Sequence, residues 1–217
     1  MIHRGNPFTI SIEPTTSCNL RCPECPSGLR MFTRPTGSLS MELYQQLIDQ
    51  TWKDLFYLIL YFQGEPYLNP LFFSMVEYAK NKRIYTATST NAHFLSESLA
   101  RKTVESGLDR IIISLDGVGQ ETYEKYRVGG NYEKVIEGTR NLVRLKRELK
   151  SKTPYIILQF IIFSTNEHQV EQVKKLAEEL GVDRLELKSA QVYGYEEGNT
   201  LIPQNEKYSR YRKGAGK

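Results

Sequence analysis

The sequence alternates short runs rich in β-branched residues with segments whose apolar residues recur at helical spacing. Apolar alternation indicates a strand, and apolar residues three or four positions apart indicate a helix with one buried face. Strands are predicted at residues 8–13, 55–62, 84–90, 111–115, 155–163 and 184–188, and helices at 39–50, 71–79, 96–106, 120–127, 131–150 and 170–180. This alternation predicts a parallel sheet, because each crossover returns the chain to the same end of the sheet.

Six β-α units leave two architectures open. Each unit spans roughly 30 residues, the usual size of a β-α-β repeat. A closed barrel of this kind would need eight units, so the units form either an open doubly wound sheet or a partial barrel. No glycine-rich dinucleotide-binding motif follows the first strand, which weakens the doubly wound alternative. Periodicity alone does not decide between them.

The size and charge of the chain favour one compact domain. Its 217 residues, of which 40% are apolar, can bury a sizeable core. The formal charge of +4 arises entirely in residues 204–217, where five Lys or Arg residues accompany Glu206 alone. The neutral body argues against nucleic-acid binding, since a phosphate-binding surface needs clustered cations on a folded face.

Targeting signals are not evident in the sequence. No apolar run approaches the ~18 residues of a membrane span. Residues 1–5 show no charged-then-apolar signal pattern. We therefore expect no membrane association and a cytoplasmic location.

Polar residues follow all six predicted strands. They lie at 13–25, 63–66, 88–91, 114–117, 164–166 and 188–191. Because the carboxyl ends of parallel strands meet at one edge of the sheet, where ligands gather in such folds, we expect a site at this rim.

The loop after the first strand carries Cys18, Cys22 and Cys25, the only cysteines of the sequence. Three thiolates at this spacing can converge on one metal centre, and sulfur ligands select zinc or an iron-sulfur cluster. A structural zinc site needs a fourth protein ligand, but the sequence has no fourth cysteine and no histidine in this loop. A cubane cluster bound by three cysteines leaves one iron open to a substrate or cofactor. Zinc and three buried thiols remain the alternatives.

The cysteine triplet, followed by Gly64-Glu65-Pro66 after the second strand, resembles the radical S-adenosylmethionine (radical SAM) family. The resemblance covers residues 8 to about 191 and implies an α/β fold, namely a partial (β/α)6 TIM-like barrel of parallel strands. The segment CNLRCPECPSG is most similar to SPASM-type members. No cysteine follows Cys25 in this sequence, so we expect these 217 residues to contain the core without the SPASM extension and its auxiliary clusters.

The resemblance also implies a division of the chain. Residues 1–191 would form the radical SAM core, and residues 192–217 a basic C-terminal tail. Two alternatives remain: the chain is a compact stand-alone member, or it is the core of a longer protein in which the tail begins the missing extension.

The same resemblance implies a metal and a cofactor site. Cys18, Cys22 and Cys25 would bind a 4Fe-4S cluster, whose open iron would be chelated by the methionyl part of S-adenosyl-L-methionine (SAM). Glu65, in a turn shaped by its two neighbours Gly64 and Pro66, would accept hydrogen bonds from the amino group of SAM, a charge-assisted contact.

Five further positions match cofactor-binding positions of relatives. Ser114 and Asp116 match residues near the ribose or carboxylate of SAM. Thr90 and Asn91 match a Thr-Asn element of the third strand, and Arg127 matches an arginine that can pair with the cofactor carboxylate. Each position also has a structural interpretation, in which the polar residues form turns and the arginine serves a helix dipole. The structural interpretation of Glu65 is a carboxylate that caps the next helix.

One position departs from the family pattern. Many relatives carry an aromatic residue near the adenine immediately before the third cysteine, where this chain has Glu24. Adenine contacts must therefore come from elsewhere or differ. Tyr193 and Tyr195, beyond the sixth strand, could face a substrate.

The implied reaction is reductive cleavage of SAM to methionine and a 5'-deoxyadenosyl radical, which abstracts hydrogen from a substrate. The electron would come from a reductant protein such as flavodoxin or ferredoxin. The expected substrate is a peptide or protein side chain. The alternatives are a small-molecule or cofactor precursor, RNA, or a non-catalytic iron-sulfur-binding core fragment. No individual catalytic residue is predicted.

Overall fold

The computed structural model describes residues 5–211, apart from the side chain of Glu197. The strands are β1 Thr9–Ser11, β2 Tyr57–Ile59, β3 Tyr85–Thr90, β4 Arg110–Ser114, β5 Tyr155–Ile162 and β6 Arg184–Ser189. The α-helices are α1 Pro26–Leu29, α2 Met41–Thr51, α3 Phe72–Asn81, α4 Glu97–Glu105, α5 Gln120–Tyr126, α6 Tyr132–Glu148 and α7 Val170–Leu180. Short 3-10 turns lie at Pro66–Leu68, Glu167–Gln169 and Tyr195–Glu197.

The six strands form one parallel sheet whose spatial order is the order of the sequence. A doubly wound sheet reverses its strand order at a switch point, whereas each crossover here adds the next strand on the same side. The predicted partial (β/α)6 barrel is therefore confirmed, and the doubly wound alternative is excluded. Within residues 5–211, no strand pairs with the outer edge of β1 or β6, so the barrel is open between them.

The helices pack against the outer face of the sheet and form the main hydrophobic core. Ile111 and Ile113 of β4 and Leu158 and Phe160 of β5 are buried in this layer. Burying side chains of this size contributes about 1.5–3 kcal/mol each. Since successive side chains of a strand point to opposite faces, the alternate residues line the lumen of the barrel.

Side chains from non-adjacent strands meet in the lumen. The guanidinium of Arg110 on β4 lies 5.5 Å from the ring centroid of Tyr57 on β2, although β3 separates the two strands. Both residues lie on the lumen face, because successive side chains of a strand point to opposite faces.

Two features of the fold differ from the sequence prediction. β1 and β2 contain three residues each, because beyond Leu60 the chain turns into the loop that carries Gly64. α1 was not predicted, since a helix of four residues is too short to show a helical period.

Residues 192–211, which we call the return segment, fold back onto the core after β6. Val192 is buried, and Leu201, Ile202 and Tyr211 pack against a second, smaller apolar cluster at the carboxyl ends of the strands. The basic residues Arg212, Lys213 and Lys217 of the predicted tail lie outside the described residues, and the predicted division at residue 191 stays a prediction. No helix in the described part of the chain is long and apolar enough to cross a membrane.

Asp109 is a buried carboxylate that joins β3 to β4. One oxygen accepts hydrogen bonds from the backbone nitrogen (2.9 Å) and hydroxyl (3.3 Å) of Thr86. The other accepts from Lys80 Nζ at 2.7 Å. The carboxylate thus fixes the start of β4 and neutralises the lysine.

Replacing Asp109 by Ala should lower the free energy of unfolding by about 2–4 kcal/mol, because it leaves the Thr86 donors and the lysine without their acceptor. Urea denaturation of the cofactor-free protein measures this change. Asp49→Ala, which removes an exposed carboxylate paired with Lys82, should change stability little. Equal losses in the two variants would contradict a structural role for Asp109.

Candidate active site

The three cysteines lie in the loop between β1 and α1, at the carboxyl ends of the strands. All three are free thiols, and Cys22 is buried. They pack within the smaller apolar cluster, beside Leu20 and Phe163. Burial raises the pKa of Cys22 to about 11, with Arg127 acting in the opposite direction. Burial also raises the pKa of Cys18. The donor set is therefore three thiols in one apolar pocket.

A close approach between α1 and the cysteine loop sets the conformation of this loop. Gly28 lies so close to Cys22 that a Cβ atom at position 28 would collide with the backbone nitrogen and carbonyl oxygen of Cys22. The same loop is held by Arg30, whose guanidinium donates to Cys18 O at 2.7 Å. The segment directly after Cys25 is therefore part of the site.

The loop after β2 packs directly against the cysteine loop. Gly64 has a φ of +70°, and a Cβ atom there would collide with the carbonyl oxygen of Thr15. Gly64 N donates to Ser27 Oγ at 2.8 Å, and Glu65 N donates to Ser17 O at 2.8 Å. These contacts fix the position of Glu65 relative to the cysteines.

Glu65 is a fully buried carboxylate with three donors from its own surroundings. Its Oε1 accepts from Thr90 Oγ1 (2.8 Å) and Tyr67 N (3.3 Å), and its Oε2 accepts from Asn91 N (2.8 Å). Burial raises the pKa of Glu65 to about 7, and the donors only partly oppose this. Glu65 thus caps the 3-10 turn that begins at Pro66, and lies among the predicted cofactor residues.

Asn91 connects Glu65 to the cysteine loop. Its Nδ2 donates to Asn19 Oδ1 at 2.8 Å and lies 3.9 Å from Cys18 Sγ. His93 holds the other side of this turn: its Nδ1 lies 3.0 Å from Asn91 O, and its Nε2 accepts from Asn131 N at 2.8 Å. The Nε2 contact requires an acceptor, so we assign the ring proton to Nδ1.

Asp116 and Arg127 form a buried ion pair. Arg127 donates to Asp116 Oδ2 through Nε at 2.6 Å and through Nη2 at 2.5 Å. The other carboxylate oxygen accepts from Ile161 N at 2.8 Å, and Arg127 Nη1 lies 4.0 Å from Cys22 Sγ. The resemblance implies separate contacts to the cofactor, whereas in this structure the two residues hold each other. Ser114 is buried at the end of β4, on the same face as Asp116.

Several site residues were not predicted from the sequence. Ser27, Gly28 and His93 hold the loops that carry the predicted residues. Asn166 lies in the predicted rim segment 164–166 but had no predicted role; it is fully buried and donates to the carbonyl oxygens of Asp116 (3.0 Å) and Ile161 (2.9 Å). The run Pro26-Ser27-Gly28 directly after the third cysteine was the available signal, since Pro and Gly mark a tight turn.

The donor chemistry of the pocket fits an iron-sulfur cluster, because cysteine thiolates are the ligands that hold such clusters. A backbone donor to Cys18 Sγ, Leu20 N at 3.4 Å, is typical of iron-sulfur sites, where hydrogen bonds to sulfur tune the potential.

Comparison with known proteins identifies the family. Residues 12–177 match the Radical SAM superfamily. The chain belongs to this superfamily of enzymes. Membership implies that the radical SAM core uses SAM and an iron-sulfur cluster, and it agrees with the cysteine loop and with the fold.

Two of the similar proteins are named for different reactions. A pre-heme d1 synthase from Dinoroseobacter shibae is 30% identical over 188 residues, 86% of this chain and 44% of that enzyme. A PqqA peptide cyclase from Gluconobacter oxydans is 27% identical over 191 residues, 87% of this chain and 51% of that enzyme. This radical SAM chain spans about half the length of the curated relatives it matches.

The fold is shared with solved radical SAM structures. Streptococcus suis SuiB bound to S-adenosylmethionine superposes with a TM-score of 0.73 at 15% identity, over 92% of this chain and 44% of SuiB. At this identity the similarity concerns the fold alone.

Replacing Glu65 by Gln should change how stability depends on pH in the cofactor-free protein. Because burial raises the pKa of Glu65 to about 7, the folded protein retains a proton that the unfolded chain has already lost. Wild-type stability should therefore fall between about pH 5 and pH 8, and the unfolding free energy of Glu65→Gln relative to wild type should rise over this interval. Urea denaturation at both pH values measures the difference. The exposed Glu77→Gln on α3 is the matched control, and equal pH dependence in both variants would contradict the prediction.

Replacing Gly28 by Ala should displace the backbone of Cys22, because the added Cβ has no space. We expect a lower melting temperature and less iron bound per chain after reconstitution. Gly37→Ala is the matched control, since a Cβ at position 37 meets no atom within 4 Å. Wild-type iron content in Gly28→Ala would show that the approach of α1 is not needed for the cysteine loop.

Proposed function

We propose that this chain is the catalytic core of a radical SAM enzyme that binds a 4Fe-4S cluster through Cys18, Cys22 and Cys25. The observation that supports this proposal is the packing of the cysteine loop and the Gly64-Glu65-Pro66 loop into one unit, through Gly64, Ser27 and Ser17. When bound, the reduced cluster supplies the electron that cleaves SAM to methionine and a 5'-deoxyadenosyl radical.

The protein's first task at this site is to provide thiolates. With its pKa raised to about 11, Cys22 is protonated at neutral pH, so binding to iron requires the thiol to release its proton. The nearby Arg127 guanidinium favours the thiolate, and Asp116 holds that guanidinium in place. Asp116 and Arg127 therefore place a fixed positive charge beside Cys22, which favours an anionic cluster in the pocket.

The second task is to attract the amino group of SAM. Glu65 is the buried carboxylate of this rim that has donors but no paired cation in the described residues. Its raised pKa shows that burial disfavours the charged form, so an incoming ammonium group would be stabilised strongly beside it. This electrostatic state supports the role that the resemblance implies for Glu65 and its neighbours Gly64 and Pro66.

The third task is to hold the substrate in the lumen and exclude water. By strand alternation, the lumen face carries Arg110, Gln159 and Glu186, which are polar side chains that include both charges. Because the described part of the barrel is open between β1 and β6, an extended polypeptide substrate can lie along this opening. We therefore favour a peptide or protein side chain as the substrate, as the name of the PqqA peptide cyclase suggests for that relative.

A small-molecule or cofactor precursor is the second candidate substrate. It is supported by the 30% identity to an enzyme named as a pre-heme d1 synthase.

For either substrate, a flavodoxin or ferredoxin is the proposed electron donor. We propose that this radical SAM protein is located in the cytoplasm, because free cysteines persist where thiols are kept reduced.

Anaerobic reconstitution with iron and sulfide, followed by reduction and addition of SAM, tests the proposal. We expect a reducible 4Fe-4S signal by electron paramagnetic resonance, together with 5'-deoxyadenosine detected by mass spectrometry. Cys22→Ala should lose both, because it removes one of three ligands. A correctly formed cluster without 5'-deoxyadenosine would instead support a non-catalytic iron-sulfur core. Candidate peptides and tetrapyrrole precursors can then be compared by how much each accelerates 5'-deoxyadenosine formation.

A further inference from the structure

The return segment, residues 192–211, packs beside the cysteine pocket. Leu201 and Ile202 pack against the apolar cluster that contains Leu20 and Cys22, as do Cys18 and Cys25. The backbone of this segment is irregular, apart from the 3-10 turn at Tyr195–Glu197. It therefore depends on side-chain contacts to stay in place.

Glu24, between the second and third cysteines, makes two of these contacts. Its Oε2 accepts from Tyr193 N at 2.8 Å, and its Oε1 accepts from Asn199 Nδ2 at 2.8 Å. Both oxygens of one carboxylate thus bind a stretch of chain about 170 residues away in sequence. Hydrogen bonds to a charged acceptor are the stronger kind.

The contacts of Glu24 continue to Leu201, which packs against the apolar cluster of the cysteine pocket. Asn199, held by Glu24, accepts from Leu201 N through Oδ1 at 2.9 Å. Leu201 O in turn accepts from Ser164 N at 3.1 Å. A single path therefore runs from Glu24 through Asn199 to Leu201, which packs against the apolar cluster that contains Cys22.

The far end of the return segment is anchored independently. Glu167 accepts from Gln204 N (3.3 Å) and Asn205 N (3.0 Å). Tyr211 stacks on Tyr195 with ring centroids 4.9 Å apart, and its hydroxyl lies 2.9 Å from Val192 N. Loss of the Glu24 contacts should thus loosen residues 193–201, while the Tyr195–Tyr211 stack and the bond from Ser164 N to Leu201 O keep the segment attached.

We propose that Glu24 is a positioning residue, which holds residues 193–201 over the cysteine pocket and thereby limits the access of water and oxygen to the bound cluster. The apolar shell of a metal site controls solvent access and reduction potential. Neither the cysteine spacing nor the family motif assigns this role to the residue before the third cysteine.

Hydrogen-deuterium exchange on the cluster-free protein tests the contact directly. In Glu24→Ala, peptides covering residues 193–201 should exchange about tenfold faster, the effect of losing one or two charge-assisted hydrogen bonds. Peptides covering Gln204 and Asn205 should stay protected. Glu196→Ala, which removes an exposed carboxylate from the same segment, is the matched control. Wild-type exchange of residues 193–201 in Glu24→Ala would overturn the proposal.

A second variant tests whether the hydrogen bonds themselves are responsible. Glu24→Gln keeps the side-chain volume but presents its amide donors to Tyr193 N or Asn199 Nδ2, so one of the two contacts is lost. Residues 193–201 should therefore exchange faster than in wild type and more slowly than in Glu24→Ala. Wild-type exchange in Glu24→Gln would overturn the assignment. Glu24→Gln also provides a folded test protein if the Ala variant does not fold.

The cluster readout rests on the proposed function, whereas the exchange readout does not. In the reconstituted protein, Glu24→Ala should lose its cluster absorbance in air several-fold faster than wild type and Glu196→Ala. Its cluster potential should also be more positive, because water stabilises the more highly charged reduced state. Faster exchange with unchanged bleaching and potential would make Glu24 a tether without effect on the cluster, which overturns the proposal. A wild-type protein that forms no cluster would instead contradict the proposed function.

Discussion

The close packing of two loops is the constraint on which the rest of the site depends. Gly64 lies against the carbonyl of Thr15 at a distance that excludes any side chain, and Ser27 binds its nitrogen. This contact orients Glu65, whose carboxylate then binds the turn at Asn91. That turn reaches back to the cysteine loop through Asn19. Three strand ends are thus joined in a ring, and each loop limits the positions that the others can adopt.

Two buried carboxylates at this rim differ in their electrostatic state. Asp116 is paired with a cation of the protein, since Arg127 binds it through two nitrogens. In such a buried ion pair each charge is compensated by its partner. Glu65 has neutral donors, and burial keeps its pKa near 7. One carboxylate is therefore satisfied within the protein, and the other gains most from a cation that arrives from outside. The difference separates a residue that holds the pocket from one that can recognise a ligand.

Much of the fold was predictable, because buried strands and amphipathic helices leave a periodic pattern. The cysteine triplet was equally visible, since its spacing lies within one loop. Other features carry no local signal. Asp116 and Arg127 pair from opposite ends of the segment that contains α5. α1 is a single helical turn. The hydrogen bond between Glu24 and Asn199 joins residues that are separated by most of the sequence. Contacts between distant irregular segments are set by tertiary packing, which periodicity does not record.

Within residues 5–211 the outer edges of β1 and β6 have no partner strand, and this opening has a geometric consequence. A closed barrel admits only what passes through its mouth, so a long polymer would have to enter by one end. A barrel that is open along its side has a slot instead of a mouth. A polypeptide can lie across such a slot and present an internal residue to the lumen while both of its ends stay outside. The selection of a residue would then depend on local sequence around the slot and not on distance from a terminus.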